Sequence, residues 1–291
     1  MQRKDSCELC EGNKIELLGE YGILKKNGGR LKFSNYICRN CGLVFMNPMP
    51  ERADYDEIYK QYESARHGVT ELDLDKGADK IKKSIKGESV FSFIKEYLGS
   101  QKKVLDIGCG FGQISCGLKN FGCDVSSVEP SELLSRKLAE ISGIDVFCGD
   151  FDNFFSQNEK KFNVLVLHHV FEHFRDPKEK LEQFKKILLP GGVVYLEIPS
   201  VVSFKKPVDN FFDYCHPYSY SPKTFSDLIS GKGFKIIKIN KNKMHRLQLV
   251  IAPKESEYQE INEKMFLRGG YKETAGYIKK RRLIDWLKNI L

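Results

Sequence analysis

Residues 104–112 read V-L-D-I-G-C-G-F-G, and this stretch decides the fold class. It begins as a short apolar strand from Val104 to Ile107, passes through three glycines, and leads into a helical pattern that starts at Ile114. Glycine permits a sharp turn and the close approach of a ligand, and the first N–H groups of the following helix attract an anion. The stretch therefore predicts a ligand site at the head of a strand in an open α/β sheet.

From Lys102 onward, apolar stretches of strand length alternate with helical patterns. Further strands are predicted at 124–128, 144–147, 162–167, 193–198, 234–239 and 247–251, and helices at 114–121, 131–141, 177–188 and 222–230. This alternation indicates a mostly parallel sheet with helices on both faces. The last two strands have no helical pattern between them, which predicts an antiparallel hairpin at that edge.

The spacing of the glycines distinguishes between two cofactor classes. The dinucleotide fingerprint G-x-G-x-x-G would need a glycine where this chain has Gln113. The observed D-x-G-x-G-x-G instead resembles motif I of the class I methyltransferases that use S-adenosylmethionine (SAM). The resemblance implies their Rossmann-like seven-stranded sheet and a cofactor site formed by Asp106, Gly108, Cys109, Gly110 and Gly112.

Later segments resemble the other motifs of the same family in the right order. Glu129 resembles the acid that binds both ribose hydroxyls of SAM. Gly149-Asp150-Phe151 resembles the adenine-binding turn, in which Asp150 would accept from the adenine amino group and Phe151 would flank the base. Residues 162–173 and 189–192 resemble the fourth and fifth motifs, and the fourth implies that His168 lines the cofactor cleft. Together they imply an enzyme that transfers a methyl group from SAM.

Two C-x-x-C pairs precede this region, Cys7 with Cys10 and Cys38 with Cys41. Each pair can present two thiolates to one tetrahedral Zn²⁺, and four thiolates would close its coordination shell, so this zinc would be structural. Nine cysteines, an odd number, fit a metal site with additional thiols better than a disulfide framework. The alternative is a pair of knuckles that no longer bind metal.

Proline positions and shifts in composition divide the chain into four predicted segments. We predict a zinc ribbon at 1–50, a helical linker or cap at 51–100, a SAM-binding domain at 101–255 and C-terminal helices at 256–291. An aromatic cap is expected as an insert at 203–221. This order is similar to that of bacterial methyltransferases with an N-terminal zinc ribbon, many of which modify sugars, nucleotide sugars or cell-surface glycans.

The cap carries the first candidate for a general base. Methyl transfer from the sulfonium of SAM needs no metal, but a hydroxyl or carbon-acid acceptor must lose a proton, and histidine is the natural base near neutral pH. His216 is the first candidate, and His168 and His169 are the next; alternatively, His216 only packs the cap. In sugar C-methyltransferases with a zinc ribbon, glutamate precedes such a histidine and tyrosine stands two residues further back. Cys215 and Asp213 occupy those places here, which favours O-methylation.

Charge and hydropathy bound the remaining choices. The net charge of +8 comes from scattered lysines, apart from the run Lys279-Lys280-Arg281-Arg282, and this disfavours a nucleic-acid partner. No apolar run reaches the ~18 residues of a membrane span, and no signal core is visible, so we expect a cytoplasmic monomer or homodimer. The expected reaction is methylation of a sugar-like hydroxyl in polysaccharide biosynthesis. The alternatives are a sugar C-methyltransferase, a nucleic-acid or protein methyltransferase, and a non-catalytic SAM-binding protein.

Overall fold

The structure is a computed structural model of the 291-residue chain. It describes residues 4–24, 29–55, 57–58, 85–241, 245–261, 266 and 268–290. The strands are β1 (Ile15–Leu24), β2 (Arg30–Cys38), β3 (Val44–Met46), β4 (Lys103–Ile107), β5 (Asp124–Glu129), β6 (Asp145–Cys148), β7 (Phe162–His168), β8 (Leu188–Pro199), β9 (Tyr218–Ser219), β10 (Phe234–Ile239) and β11 (Arg246–Pro253).

The α-helices follow the strands of the larger sheet and also close the chain. They are α1 (Ile85–Ile94), α2 (Gln113–Asn120), α3 (Glu132–Ser142), α4 (Phe151–Gln157), α5 (Pro177–Ile187), α6 (Val208–Phe211), α7 (Pro222–Gly231) and α8 (Tyr271–Ile290), with 3₁₀ turns at Lys95–Tyr97 and Phe171–His173. Much of the predicted linker or cap at 51–100, namely 56 and 59–84, lies outside the described residues. None of the helices in the described ranges is long and apolar enough to cross a membrane.

The larger sheet has seven strands in the order β10-β11-β8-β7-β4-β5-β6. Its strands are parallel except β11, which runs antiparallel to both β8 and β10. The predicted seven-stranded sheet and its antiparallel hairpin are therefore confirmed. The chain order reverses between β4 and β7, and ligands of open α/β sheets bind in the crevice at such a switch point.

Helices cover both faces of this sheet because its central strands are apolar on both sides. Leu105, Leu165 and Leu196 point to one face and pack with α4, α5 and α7. Val104, Val164 and Tyr195 point to the other and pack with α1, α2 and α3. Strands buried on both faces read as continuous hydrophobic runs rather than as an alternating pattern, which is why they could be predicted from sequence.

A second, four-stranded sheet joins the N-terminal segment to the cap. Its order is β1-β2-β3-β9, and β9 comes from the predicted insert at 203–221. Val44 pairs with Ser219 and Phe45 with Tyr218 in antiparallel register. The N-terminal ribbon is thus continuous with the segment that carries His216, a connection that local sequence patterns do not reveal.

Candidate active site

The glycine loop connects β4 to α2 at the switch point, and each of its glycines has a left-handed φ: 67° at Gly108, 55° at Gly110 and 71° at Gly112. A Cβ on Gly108 would lie 2.6 Å from Val170, and one on Gly112 would lie 2.2 Å from Leu138. A Cβ on Gly110 would meet nothing within 4 Å. Two of the glycines therefore serve close packing, while Gly110 borders open space that a ligand can occupy.

Asp106 is buried at the end of β4 beneath this loop. Its Oδ2 accepts a hydrogen bond from Ser115 Oγ at 2.5 Å, and Ser127 Oγ donates to Ser115 Oγ at 3.0 Å. Burial raises the pKa of Asp106 to about 6, against the opposing effect of the Ser115 hydrogen bond and of nearby His168. Cys109 follows with its backbone N–H bonded to Val128 O, and burial raises the pKa of its thiol.

Glu129 ends β5 beside the glycine loop and is only 2% exposed. Its two carboxylate oxygens accept from the backbone N–H groups of Gly110, at 2.8 Å, and Ser131, at 2.9 Å. Burial raises the pKa of Glu129, and these two hydrogen bonds oppose the rise. An ionised carboxylate has about four acceptor positions, so the carboxylate can still accept from a diol.

Asp150 and Phe151 open α4 after β6. Asp150 is the N-cap residue, with Oδ1 accepting from Asn153 N at 2.8 Å, and its Oδ2 lies 3.7 Å from Arg52. The Phe151 ring is buried, with its centroid 5.3 Å from that of Phe184. The ring therefore stabilises the core, and the backbone N–H at this first helical position has no intrahelical acceptor.

His168 and His169 lie at the carboxyl end of β7, next to the glycine loop. His168 is the register partner of Glu197 on β8, and His168 Nε2 lies 3.5 Å from Glu197 Oε1. His169 has a left-handed φ of 59°, and its Nε2 lies 3.7 Å from the same oxygen. Arg246 Nη1 donates to Glu197 Oε1 at 2.9 Å. A non-glycine residue in this conformation is uncommon and often lies at a functional site.

Glu172 lies below these histidines and is 3% exposed. Its Oε1 accepts from His169 Nδ1 at 3.3 Å, whereas its buried Oε2 has no hydrogen-bond partner in the part of the chain that the structure describes. Burial raises the pKa of Glu172, but the His169 hydrogen bond and the nearby His173, His169 and His216 rings outweigh it and lower the pKa to about 2. Glu172 is therefore an ionised carboxylate within the histidine cluster.

His216 reaches the same cluster from the cap. The nitrogens of His216 and His173 and a Glu172 oxygen all lie within 4.8 Å of one another, and the two imidazole centroids are 4.7 Å apart. His173 Nδ1 donates to Cys215 O at 2.8 Å, which ties the turn after β7 to the cap. Tyr55 Oη lies 2.8 Å from His173 O and 2.8 Å from Cys215 O.

Two carboxylates of this cluster are not among the candidates predicted from sequence. Glu172 lies within the segment 162–173 that resembles the fourth motif, and Glu197 lies inside an apolar strand pattern. A lone acidic residue in a strand that is otherwise buried on both faces is a signal for a paired charge, and it could have identified Glu197. Tyr55 carried no such signal, because its contacts are with residues more than a hundred positions away.

The four N-terminal cysteines form one compact group. Cys7 Sγ lies 3.7 Å from Cys41 Sγ, Cys10 Sγ lies 3.6 Å from Cys38 Sγ, and all four sulfurs lie within 4.8 Å of one another. Four sulfurs about 2.3 Å from a tetrahedral Zn²⁺ would be spaced about 3.8 Å apart. The thiol of Cys41 as hydrogen-bond donor lowers the pKa of Cys7 to about 5. The donor set and its spacing thus fit a Zn²⁺ ion.

Comparison with known proteins defines the class. A family profile described as "Methyltransferase domain" matches residues 83–239, which is more than half of the chain. The chain belongs to this methyltransferase family, and it is a class I SAM-dependent methyltransferase in fold and in motif order.

Individual relatives match parts of the chain. The ubiquinone biosynthesis O-methyltransferase of Idiomarina loihiensis is 35% identical over 100 residues, which are 32% of this chain and 41% of that protein. The chain thus spans about two fifths of that relative's length. The uncharacterized methyltransferase OB1106 of Oceanobacillus iheyensis is 27% identical over 177 residues, 58% of this chain and 81% of that protein.

Two solved structures match a larger share of the chain. The plantazolicin methyltransferase BamL, in complex with a desmethylPZN analog and SAH, superposes with a TM-score of 0.49 at 15% identity, over 66% of this chain and 94% of that one. A SAM-dependent methyltransferase from Clostridium acetobutylicum gives a TM-score of 0.46 at 14% identity, over 69% of this chain and 99% of that one.

Proposed function

We propose that this enzyme transfers the methyl group of SAM to a hydroxyl of a small molecule, a sugar-like acceptor such as a nucleotide sugar or a glycan precursor, with His216 as general base. The observation that carries the proposal is the position of His216 beside the ionised, buried carboxylate of Glu172. A carboxylate next to an imidazole stabilises the imidazolium that forms when the base takes a proton.

We infer the cofactor residues from the resemblance to the family's motifs, and the geometry of the switch point is consistent with them. Gly110 would border the bound SAM, Glu129 would accept from its ribose hydroxyls, and Asp150 with the Phe151 backbone would hold its adenine. His168 and Asp106 border the methionine end. Open space at Gly110 and the acceptor capacity left on Glu129 support this placement.

The reaction is an in-line displacement. The acceptor oxygen attacks the methyl carbon, the bond from that carbon to sulfur breaks, and the sulfonium leaves as neutral S-adenosylhomocysteine. The acceptor proton passes to His216, and the developing imidazolium is stabilised by Glu172. His168 and His169 are the next candidate bases, because His169 lies beside both Glu172 and Glu197 and His168 lies 3.5 Å from Glu197.

We infer transfer to oxygen rather than carbon from the residues before His216, where Cys215 and Asp213 replace the glutamate and tyrosine of the C-methyltransferase pattern. Cys215, at the place where the resemblance expects a glutamate, is buried, and its carbonyl accepts from His173. Glu172 on another element supplies the carboxylate near His216 instead. The O-methyltransferase name of the ubiquinone relatives belongs to those proteins and supports O-transfer here only by similarity.

The test is turnover of SAM with a panel of nucleotide sugars and simple phenols, comparing the wild type with His216→Ala and with His245→Ala. His245 is exposed and lies outside the cluster. We expect His216→Ala to lower kcat by about 10²–10⁴-fold with SAM affinity retained, and His245→Ala to leave kcat unchanged.

Three results would contradict the proposal. Undiminished turnover in His216→Ala would exclude His216 as the base. Exchange of an acceptor C–H with solvent deuterium in the absence of methyl transfer would assign the enzyme to C-methylation. If no acceptor in the panel yields S-adenosylhomocysteine while SAM binds, the proposed sugar-like acceptor class is wrong.

A further inference from the structure

The C-terminal helix α8 has an apolar stripe on an exposed face. Leu283, Trp286, Leu287 and Ile290 are 56%, 58%, 46% and 62% exposed. Their spacing of three and four residues places them on one side of the helix. The other exposed large hydrophobic residues in the described ranges stand singly on separate elements: Leu17, Ile85 and Phe121. Scattered apolar residues are normal on a surface, whereas a contiguous patch marks an interaction site.

The opposite face of α8 fixes the orientation of this stripe. Ile278 is buried among residues that include Phe204 and Phe211 of the cap. Arg281 donates to the carbonyl oxygens of Lys205 and Lys206 at 2.9 and 3.0 Å, and Asp285 accepts from Val208 N at 2.8 Å. Because these contacts hold the helix by one side, the apolar stripe faces outward.

Positive charge borders the stripe. Lys279 and Lys280 on α8 are exposed and lie four and three residues before Leu283, beside the N-terminal end of the stripe. The nearest acid on the helix, Asp285, is paired with Arg281 at 3.3 Å. The surface therefore combines a row of apolar side chains with a basic rim.

We propose that α8 binds the surface of an anionic lipid bilayer, lying in the plane of the headgroups. Trp286 and its aliphatic neighbours would enter the boundary between headgroups and acyl chains, while the lysines contact the anionic headgroups. A second copy of this chain packed on the same stripe would bring the basic rims against each other, which is unfavourable. The charge pattern thus favours lipid over a homodimer contact.

This surface goes beyond the proposed methyl transfer and does not depend on it. It lies on the helix that packs against the cap, since Tyr277 Oη donates to Phe204 O at 2.6 Å. Binding through α8 therefore holds the cap close to the bilayer. Lipid binding can be measured without any acceptor, so its failure is distinguishable from failure of the proposed reaction.

Trp286 is the single tryptophan of the chain, so its fluorescence reports on this surface directly. The wild-type protein is titrated with vesicles of phosphatidylcholine alone and of phosphatidylcholine mixed with phosphatidylglycerol. We expect a blue shift and co-flotation with the mixed vesicles only, and a loss of both as salt screens the charges. No shift and no flotation with the mixed vesicles at low salt would overturn the proposal.

Two double variants separate the apolar and the electrostatic contributions to lipid binding by α8. Leu283→Gln with Leu287→Gln keeps the Trp286 reporter, and we expect it to abolish the blue shift. Lys279→Glu with Lys280→Glu should lower partitioning by about 30-fold or more, because each lysine near an anionic surface contributes about 1 kcal/mol. The charge-matched control is Lys160→Glu with Lys161→Glu, two exposed lysines before β7, which should retain flotation.

The variants are first checked for unchanged thermal unfolding and SAM affinity. Flotation that is equal in both α8 variants and in the wild type would contradict a role for α8. A concentration-dependent dimer in sedimentation that Leu283→Gln with Leu287→Gln abolishes would assign the stripe to a second copy and would also overturn the proposal.

Discussion

Glu172 is the residue at which the strand end, the turn after β7 and the cap meet. It is buried, it accepts from His169, and it lies within 4.8 Å of His173 and His216 nitrogens. Burying a carboxylate is costly unless nearby groups compensate, and the histidines provide that compensation. Packing alone does not require a charged side chain at this buried position, which is consistent with a role for the Glu172 carboxylate in the histidine cluster.

Glu172→Gln tests whether the charge of Glu172 acts on the neighbouring imidazoles. Removing the negative charge makes protonation of the neighbouring imidazoles less favourable, so the acid limb of the kcat/KM profile should move to lower pH. We expect kcat to fall by about tenfold or more, since the imidazolium formed during transfer loses its counter-charge. A pH profile that coincides with the wild type would show that Glu172 has only a structural role.

Asp106 gives a pH dependence of stability. Its pKa is raised to about 6 in the folded protein by burial, with Ser115, His168 and Glu129 nearby, whereas an unfolded aspartate titrates near 3.9. Between these values the folded state binds more protons than the unfolded state, so this group's contribution to stability falls as pH rises from about 4 to 6. At neutral pH the ionised Asp106 lowers the free energy of unfolding by about 2–3 kcal/mol.

Asp106→Asn removes this titration while keeping an acceptor for Ser115. The difference in Tm between variant and wild type, measured without SAM, should therefore be more positive at pH 7.5 than at about pH 4. A difference that is the same at both pH values would show that Asp106 titrates normally in the fold.

At the element scale, the strand–loop–helix unit from β4 to α2 was predictable within one residue. Its apolar run, glycines and helical spacing are all local signals. The strands β5, β7 and β10 were predicted equally well for the same reason. In contrast, β9 has two residues and exists only because it pairs with β3, whose sequence is far away. Helix α4 was missed, although Asp150 is a good N-cap residue and could have indicated its start.

In the candidate site, too, some features follow from local sequence and others from contacts between distant segments. The histidines at the end of β7 and in the cap could be selected by residue type and position. Their arrangement around Glu172 and Glu197 could not, because it depends on the register of β7 with β8 and on the fold of the cap. Predicting a base from sequence is thus easier than predicting the carboxylate that orients it.

A matched pair of glycine variants tests the role of the loop. Gly110 and Gly122 both have left-handed φ values, 55° and 76°, and a Cβ at either would meet nothing within 4 Å. Alanine at each should therefore cost a similar ~1–2 kcal/mol of stability. Only Gly110→Ala should also weaken SAM binding, because only this glycine borders the proposed cofactor space. Equal SAM affinities in the two variants, measured by calorimetry, would refute the assigned site.

At the scale of the whole molecule, the N-terminal ribbon and the cap that carries His216 share one sheet. The cysteine group lies at one end of the β2–β3 hairpin, and β3 pairs with β9 of the cap. Gly42, in the second cysteine knuckle, is packed closely, because a Cβ there would lie 2.6 Å from the Gly270 backbone. Loss of the knuckle should therefore affect the cap as well as the ribbon.

Cys38→Ser tests this coupling. We expect wild-type protein to contain about one zinc ion per chain, and the variant to lose zinc, Tm and methyl transfer together. Cys148→Ser, at an exposed cysteine outside the group, is the control that should retain all three. Zinc content that is unaffected by Cys38→Ser would exclude the metal assignment, and full activity without zinc would exclude the coupling.

The most direct test of the central claim is a crystal structure of the wild-type protein with S-adenosylhomocysteine. We expect the ligand over Gly110, its ribose on Glu129, and His216 within about 5 Å of the open face of the sulfur, close enough to reach an acceptor proton directly or through one water. Density for the ligand elsewhere, or a sulfur with none of His168, His169, His173 and His216 within that distance, would contradict it.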